Sequence, residues 1–329
     1  MVNKLAHAPK VSLIVITYNQ EDFVRDTLES CVTQDFHDYE VVVCDDGSKD
    51  LTQTIILEYQ KNYPNLIIPV LSDTNFGIAV NLNNGLEVAK GEYIALLGGD
   101  DLITPDKLRL QSEFLNTRSD ASGCYHDAEV FKWPSGRVLG LFSELYGLGK
   151  NKMIDIDSKK MLSPKYQMLP STVMLRKSAI GDRRFDPRFR MLNDYIFDAQ
   201  TILETGPYVA FNKTLTKYRR HANNVGKSKS SRVAMLEENM MAMALLEARY
   251  PRYSNLIQKR ICYYLLIEAL KTYLDGNKGR HLSLASLAFK KGAYLNALPV
   301  IFFPSLCSRL LSGEGKARKI AMLIRKVFS

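Results

Sequence analysis

The chain has 329 residues, of which 46% are hydrophobic, and five widely spaced cysteines. This length suits one large α/β domain with a smaller appendage and excludes two full-sized domains with an insertion. The cysteines form no CxxC pair, so they predict neither a disulfide framework nor a thiolate metal site, and they favour a reducing, cytoplasmic location. Because there is no signal-peptide core and no run of about 18 apolar residues, we expect neither secretion by that route nor a membrane-spanning helix.

The formal net charge of +9 is concentrated at the C-terminal end of the chain. Residues 276–329 contain ten of the 44 basic residues but only one of the 35 acidic residues, so the rest of the chain is neutral. The basic side chains of this tail are Lys278, Arg280, Lys290, Lys291, Arg309, Lys316, Arg318, Lys319, Arg325 and Lys326.

The first hundred residues alternate between β-branched runs and stretches with helical spacing, which is typical of βαβ units in a parallel sheet. The predicted strands are Val11–Ile16, Glu40–Cys44, Leu66–Leu71 and Tyr93–Leu97. The predicted helices are Glu21–Thr33, Leu51–Asn62 and Ile78–Lys90. Asp50 with Gln53 predicts a capping box at the second helix, and Thr104 before Pro105 predicts a capping hydroxyl for a further helix.

Beyond Ser119 the pattern predicts a mixed, partly antiparallel region in which a second substrate would be held. Its predicted strands are Gly123–Phe131, Ser171–Leu175, Tyr208–Phe211 and Leu215–Tyr218. One helix is predicted from about Asp194 to Glu204. After a polar, basic linker at 226–231, three further helices are predicted: Val233–Tyr250, Ser254–Leu274 and Leu282–Lys291.

The predicted parallel strands end in unusually polar segments. These segments are Thr17-Tyr18-Asn19, Asp45-Asp46-Gly47-Ser48, Asn75-Phe76-Gly77 and Gly98-Gly99-Asp100-Asp101. Ligands of open parallel sheets bind outside the carboxyl ends of the strands, so we expect these side chains to share one site. Such a group of carboxylates, amides, hydroxyls and glycines suits a nucleotide with a diphosphate and a metal.

These segments resemble the nucleotide-diphospho-sugar transferases of family 2 of the inverting glycosyltransferases. The matching segments are VSLIVITYNQEDFV (Val11–Val24), VVVCDDGSKDLT (Val41–Thr52), NFGIAVNLNNGLEVAKGEYIALLGGDD (Asn75–Asp101), Asn193-Asp194 and Tyr218-Arg219-Arg220-His221. The resemblance covers roughly residues 10–225. It implies a GT-A fold, a Rossmann-like, mainly parallel α/β sheet, in a catalytic domain at 1–225 with a nucleotide-sugar part at 10–118 and an acceptor part at 119–225. A helical, basic C-terminal region would follow at 226–329.

The resemblance implies a UDP-sugar donor. Its donor-binding residues would be Thr17, Tyr18, Asn19, Asp45, Asp46, Asn75, Gly77, Gly99, Asp100, Arg219 and Arg220. One of Asp45 and Asp46, with Asp46 preferred, would accept a hydrogen bond from the uracil N–H, which cytosine lacks. The alternative is that this Asp-Gly-Ser segment only makes a turn and caps the next helix.

The resemblance also implies a divalent metal, Mn²⁺ or Mg²⁺, bound by Asp100, Asp101 and His221 with the donor phosphates. Gly98 stands where many members have a first aspartate, and Leu82 stands where many have an arginine. The alternatives are that the two aspartates cap the helix at Pro105 and that His221 lies on a solvated loop. Arg219 or Arg220 would pair with phosphate oxygens through the planar guanidinium.

By resemblance, Asp194 is the catalytic base that removes the proton of the acceptor hydroxyl in a single inverting displacement. The alternative is that Asp194 is an ordinary carboxylate at a helix N-terminus, favoured there by the helix dipole.

The basic tail alternates with apolar segments at Leu295–Val300, Ile301–Phe303 and Ala321–Phe328. This pattern predicts peripheral contact with an anionic membrane surface, and with it a lipid-linked glycan acceptor; the alternative is a helical appendage packed on the core or on another subunit. We expect no nucleic-acid partner, because aromatic residues are not interleaved with the charges. The competing functions are a nucleotidyltransferase of similar fold and a non-catalytic binding protein.

Overall fold

The chain divides into two compact units in a computed structural model that describes residues 8–146, 154–164, 168–222, 224 and 229–292. The first unit comprises residues 1–158 and 167–225, and the second comprises 159–166 and 226–329. The grouping of the short segment 159–166 with the C-terminal helices was not predicted from the sequence.

The first part of the first unit is a parallel sheet covered by helices. Its elements are β1 (Val11–Thr17), α1 (Val24–Val32), β2 (Tyr39–Asp45), α2 (Thr52–Asn62), β3 (Ile67–Leu71), α3 (Ile78–Val88) and β4 (Tyr93–Gly98). The strand order is β3-β2-β1-β4, and all three pairings are parallel. Apart from Ile16 in β1 and Gly98 in β4, the residues of these two strands are buried, as expected for strands of a covered parallel sheet. The register pairs Thr17 with Asp45 and Ile16 with Gly98, so three strands end at one edge.

The sheet continues into a mixed region. The remaining elements of this part of the chain are β5 (Leu102–Ile103), α4 (Lys107–Asn116), β6 (Gly123–Lys132), β7 (Arg137–Leu141), α5 (Phe142–Leu145), α6 (Ser158–Met161), β8 (Met174–Arg176), α7 (Lys177–Ile180), α8 (Asn193–Thr205) and β9 (Tyr208–Arg220). Within the described residues, the sheet runs β3-β2-β1-β4-β8-β6-β9-β5, with β7 paired to β6. The sheet is thus α/β and mainly parallel at its N-terminal side, with antiparallel β4–β8, β8–β6 and β9–β5 pairs.

The predicted elements are present, but several local details were wrong. Two short strands were expected, at Tyr208–Phe211 and Leu215–Tyr218, whereas β9 is one continuous strand. Its pairing with β6 contains register shifts, which allow the strand to continue through the polar residues 212–214. The capping box is absent: Asp50 accepts hydrogen bonds from the N–H groups of Glu21 and Thr52, while Gln53 donates to Asp45. Helix α4 likewise has no side-chain cap, because the hydroxyl of Thr104 donates to the Asp106 carboxylate.

The second unit contains three helices, α9 (Lys229–Arg249), α10 (Ser254–Leu274) and α11 (Lys278–Lys290). The buried Arg260 of α10 donates to the carbonyl groups of Met161 and Ser163, which accounts for the grouping of segment 159–166 with these helices. The apolar segments at 295–303 and 321–328 lie outside the described residues. No helix in the described part of the chain combines the length and apolarity needed to span a membrane.

A buried lysine interrupts the core of the first unit. Lys107, in the first turn of α4, is fully buried, and its ammonium donates to Oε1 of Gln111 at 2.7 Å. Burial lowers the pKa of Lys107 to about 8, although the nearby thiols of Cys124 and Cys31 oppose this shift. Burial, with Lys107 adding to it, holds the pKa of His126 well below its usual value. The folded protein therefore releases a proton from Lys107 that the unfolded chain retains between pH 8 and 10.5.

We predict that Lys107 makes the free energy of unfolding rise with pH between about 8 and 10.5. The sign follows because the unfolded state binds more protons in this range, and lowering the pKa of Lys107 from 10.5 to about 8 corresponds to roughly 3 kcal/mol. Denaturant unfolding at pH 7.5 and pH 10 should show this rise in the wild type relative to Lys107→Met. The exposed Lys61→Met is the control, and it should follow the wild type. Identical pH dependence in the wild type and Lys107→Met would contradict the assignment.

Candidate active site

A cavity of about 700 Å³, here called the larger cavity, opens at the carboxyl edge of β1, β2 and β4. The loops after these strands and after β3 supply most of its wall, and the segment after β9 closes another side. The site residues expected from the sequence that line it are Thr17, Tyr18, Asn19, Asp46, Asn75, Gly77, Asp100 and His221. Eight residues far apart in the sequence therefore meet in one cavity.

The adjacent aspartates Asp45 and Asp46 have different environments. Asp45 is fully buried; its carboxylate accepts hydrogen bonds from the hydroxyl of Thr17, from the N–H and hydroxyl of Ser48, and from the side-chain amide of Gln53. Asp45 does not line the cavity, and its carboxylate is hydrogen-bonded within the protein, so its donor contact stays a prediction. Asp46 does line the cavity.

Asp46 fixes the conformation of the loop after β3. Its two carboxylate oxygens accept hydrogen bonds from the N–H groups of Phe76 and Gly77, each at 2.8 Å. Gly77 has a φ of 94°, which a residue with a side chain rarely adopts. The exposed rings of Tyr18 and Phe76 both line the same cavity. The carboxylate thus holds an aromatic side chain at the cavity mouth.

Asp100 and His221 form a polar pair in the wall of the larger cavity. Nε2 of His221 lies 2.8 Å from Oδ2 of Asp100, and the side-chain amide of Asn224 lies 3.4 Å from the same oxygen. The ring of His221 packs 4.5 Å from that of Phe23. A carboxylate and an imidazole suit a divalent cation whose remaining ligands are phosphate oxygens or water, so this pair fits the expected metal.

Asp101 is separated from this pair although it is adjacent in sequence. It is 2% exposed, and its carboxylate contacts the hydroxyl of Ser171 at 2.6 Å and the N–H of Arg219 at 3.0 Å. Burial first, and then the charge of Asp100, raise the pKa of Asp101 well above its usual value. Asp101 does not line the cavity, and its burial disfavours the charged form, so its role as a metal ligand stays a prediction. No group of three or more acidic, histidine or cysteine side chains suited to a metal occurs among the described residues.

The two arginines expected to bind phosphate do not line the larger cavity. Arg219 is buried, its Nε donates to the carbonyl of Asp100 at 2.8 Å, and its guanidinium pairs with Asp26 at 3.1 Å. Arg220 donates to the hydroxyl of Tyr146. Both were placed at the phosphates by resemblance; each guanidinium contacts other groups of the protein, and the phosphate contacts stay predictions.

Asp194 lies in the first turn of α8 and lines a second cavity of about 220 Å³, here called the smaller cavity. Its Oδ1 accepts a hydrogen bond from the N–H of Tyr195 at 2.7 Å. The two cavities share part of their walls, at Ile16, Ile78, Gly98 and Arg190. The carboxylates of Asp100 and Asp194 therefore line adjoining cavities in the same unit.

Gly99 does not line the larger cavity, and its donor contact stays a prediction. Its N–H donates to the carbonyl of Ile16, and an added Cβ would lie 2.4 Å from both Oε1 of Gln20 and Cγ2 of Thr17. Only glycine fits at this point, so Gly99 allows the loops after β1 and β4 to approach each other.

Several residues of the larger cavity were not identified from the sequence: Gln20, Phe76, Arg190, Tyr218 and Asn224. Phe76 and Tyr218 belonged to segments quoted for the resemblance, and Asn224 follows His221 by three residues, so proximity could have suggested them. No sequence signal indicated Arg190.

The sheet and its polar carboxyl edge define a glycosyltransferase of the GT-A type, and comparison with known proteins supports this class. The sequence profile described as "Glycosyl transferase family 2" matches residues 12–169. An uncharacterised protein of Mycobacterium tuberculosis is 31% identical over 287 residues, which cover 84% of this chain and 80% of the relative. The chain belongs to family 2 of the glycosyltransferases.

A shorter match and two solved structures add to these similarities. TuaG of Bacillus subtilis, named for teichuronic acid biosynthesis, is 39% identical over 113 residues, or 34% of this chain and 44% of TuaG. Staphylococcus aureus TarS 1–349 in complex with UDP-GlcNAc superposes with a TM-score of 0.62 at 18% identity, covering 96% of this chain and 92% of TarS. The mannosyltransferase PcManGT of Pyrobaculum calidifontis, in complex with GDP-Man and Mn²⁺, gives 0.57 at 17% identity, with 98% and 88% covered. These two structures share the fold of this chain.

Proposed function

We propose that this glycosyltransferase moves a sugar from a UDP-sugar to an acceptor hydroxyl with inversion at the anomeric carbon. The observation that carries the proposal is the shared wall between the larger cavity, with Asp46 and Asp100, and the smaller cavity, with Asp194. A donor in the larger cavity would have its sugar near this wall, and an acceptor hydroxyl could then approach from the side of Asp194.

The larger cavity supports binding of a nucleoside. Tyr18 and Phe76 offer exposed aromatic faces on which a base can stack. Each carboxylate oxygen of Asp46 uses one lone pair for a backbone N–H, so further acceptor capacity remains for the uracil N–H. The UDP-GlcNAc complex of TarS, which has the same fold, is consistent with a uridine donor.

Asp100 and His221 would hold a divalent cation, Mn²⁺ or Mg²⁺, together with the donor phosphates. Such a cation supplies charge compensation for the leaving nucleoside diphosphate. Arg219 and Asn224 support the pair, since Arg219 donates to the Asp100 carbonyl and Asn224 lies beside both side chains. The Mn²⁺ in the PcManGT complex is consistent with this cofactor.

Asp194 would act as the base. The acceptor oxygen forms a bond to the anomeric carbon as its proton passes to the Asp194 carboxylate, and the bond from the anomeric carbon to the phosphate oxygen breaks with its electron pair leaving on the diphosphate. The N–H of Tyr195 donates to Oδ1 of this carboxylate and orients it at the start of α8. A single displacement of this kind inverts the anomeric configuration.

We predict that Asp194→Asn lowers kcat by about 10²- to 10⁴-fold and leaves the Kd for UDP unchanged, because the amide cannot take the proton. UDP release from a panel of UDP-sugars, with lipid-linked glycans as acceptors, measures kcat, and calorimetry measures Kd. The matched control is Asp182→Asn, an exposed acid that lines neither cavity. Unchanged turnover in Asp194→Asn would exclude it as the base, and release of sugar 1-phosphate in place of UDP would indicate a nucleotidyltransferase, which attacks the α-phosphorus.

We predict that Mn²⁺ strengthens the thermal stabilisation produced by UDP and that Asp100→Asn abolishes this additional effect. The reason is that a ligand bound only by the folded state stabilises that state, and raises Tm, by more as the ratio of its concentration to its Kd increases. His221→Gln should weaken the metal effect, whereas Asp22→Asn, at an exposed acid outside both cavities, should not. An equal Mn²⁺ effect in Asp100→Asn and the wild type would contradict the proposed metal site.

The acceptor is proposed to be a lipid-linked glycan of a bacterial surface polysaccharide. Two observations support this: the similarity to TuaG, named for teichuronic acid biosynthesis, and the basic, partly apolar tail at 276–329. Such a tail can contact anionic lipid headgroups while its apolar side chains enter the interface.

We predict that the full chain sediments with vesicles containing phosphatidylglycerol and not with pure phosphatidylcholine vesicles, and that added salt releases it. The variant with Lys316, Arg318 and Lys319 changed to glutamine should bind about tenfold or more weakly, because each basic residue near the surface contributes about 1 kcal/mol. The charge-matched control carries Lys316→Arg, Arg318→Lys and Lys319→Arg. Equal sedimentation with both kinds of vesicle, or no binding to either kind, would favour a tail packed against protein.

A further inference from the structure

Arg190 stands in the wall between the two cavities and was not assigned any role by its sequence pattern. It is exposed and lines both the larger and the smaller cavity, whereas the other three shared residues, Ile16, Ile78 and Gly98, carry no charge. A cation at this point lies between the cavity of Asp100 and the cavity of Asp194.

The backbone on both sides of Arg190 is fixed. Phe189 is 1% exposed, and its N–H donates to the carbonyl of Asp186. The carbonyl of Arg190 accepts a hydrogen bond from the side-chain amide of Asn193 at 3.3 Å, and Asn193 is the buried first residue of α8. The helix that carries Asp194 therefore also positions Arg190.

The described side chains that line the larger cavity carry too little positive charge to compensate the negative charge of the donor phosphates. Its described acidic side chains are Asp46 and Asp100, and among the described lining residues Arg190 is the one whose side chain keeps a positive charge at every physiological pH. Arg219 and Arg220 do not line the cavity, since they contact Asp26 and Tyr146. A divalent cation between Asp100 and the diphosphate would offset only part of the negative charge that these groups bring together.

We propose that Arg190 binds the phosphate oxygens of the donor diphosphate and stabilises the charge that develops there as the sugar leaves. This inference rests on the proposed function. A guanidinium presents its donors in a planar fork that matches two phosphate oxygens, and such charged hydrogen bonds are stronger than neutral ones. The position of Arg190 at the shared wall suits the phosphate next to the sugar, because the sugar must lie between the diphosphate and Asp194.

The test measures the Kd of UDP, UMP and uridine by calorimetry with Mn²⁺ present, for the full-length wild type, Arg190→Gln and Arg190→Lys. GDP, GMP and guanosine form a parallel series. Arg190→Gln should weaken UDP binding by about tenfold or more, which is the order expected for a lost charged hydrogen bond. UMP binding should weaken less, and uridine binding should not change. Arg190→Lys should be intermediate, because it keeps the charge and loses the fork.

The matched control is Arg188→Gln, at an arginine two residues away whose side chain is 62% exposed, pairs with Asp186 and lines neither cavity. It should bind all ligands as the wild type does. Equal Kd values for UDP in Arg190→Gln and the wild type would overturn the inference, as would an equal weakening of uridine binding. A raised KM for the acceptor with unchanged UDP affinity would move Arg190 to the acceptor side and overturn it too. If the wild type binds neither UDP nor GDP, both the proposed function and the inference fail. If the wild type and Arg190→Gln bind UDP with the same Kd, only the inference fails.

Discussion

Buried carboxylates that accept hydrogen bonds from loops distant in sequence hold the candidate site together. Asp46 binds two consecutive N–H groups of the loop after β3, and Asp101 binds the N–H of Arg219 at the end of β9. Parallel strands bring their ends to one edge, but they do not by themselves fix the loops that follow. A carboxyl group with several acceptor positions can join such loops, and its hydrogen bonds offset part of the cost of its burial.

In each pair of adjacent aspartates, the two carboxyl groups have different environments. In one pair, Asp45 is bonded inside the protein, while Asp46 reaches the larger cavity. In the other, Asp101 is buried against Ser171, while Asp100 pairs with His221 at the cavity wall. The inner residue is hydrogen-bonded within the protein, whereas the outer residue reaches the larger cavity, where Asp46 also holds the loop after β3. Function in this account therefore depends on the inner aspartates as much as on the outer ones, although only the outer ones would touch a substrate.

The sequence predicted the α/β class and the strands that bear the site, because their β-branched runs and polar ends are local signals. It kept both Asp45 and Asp46 as donor-binding residues, with Asp46 preferred, because neighbouring residues point to different environments only once the strand and its partners are in place. The arginines show the same limit: Arg219 matched a motif but is sequestered by Asp26, whereas Arg190 matched none and lines both cavities. Tertiary packing decides which basic side chain faces a ligand, and no local sequence pattern indicates it.

The central claim is that a donor sugar lies between Asp100 and Asp194. The most direct measurement is a crystal structure with UDP and a UDP-sugar in the presence of Mn²⁺, with the anomalous signal used to locate the metal. The account predicts a metal peak beside the Asp100 carboxylate and Nε2 of His221, the diphosphate next to it, and the anomeric carbon facing Asp194 across the shared wall. A metal bound elsewhere, or a sugar directed away from Asp194, would contradict it.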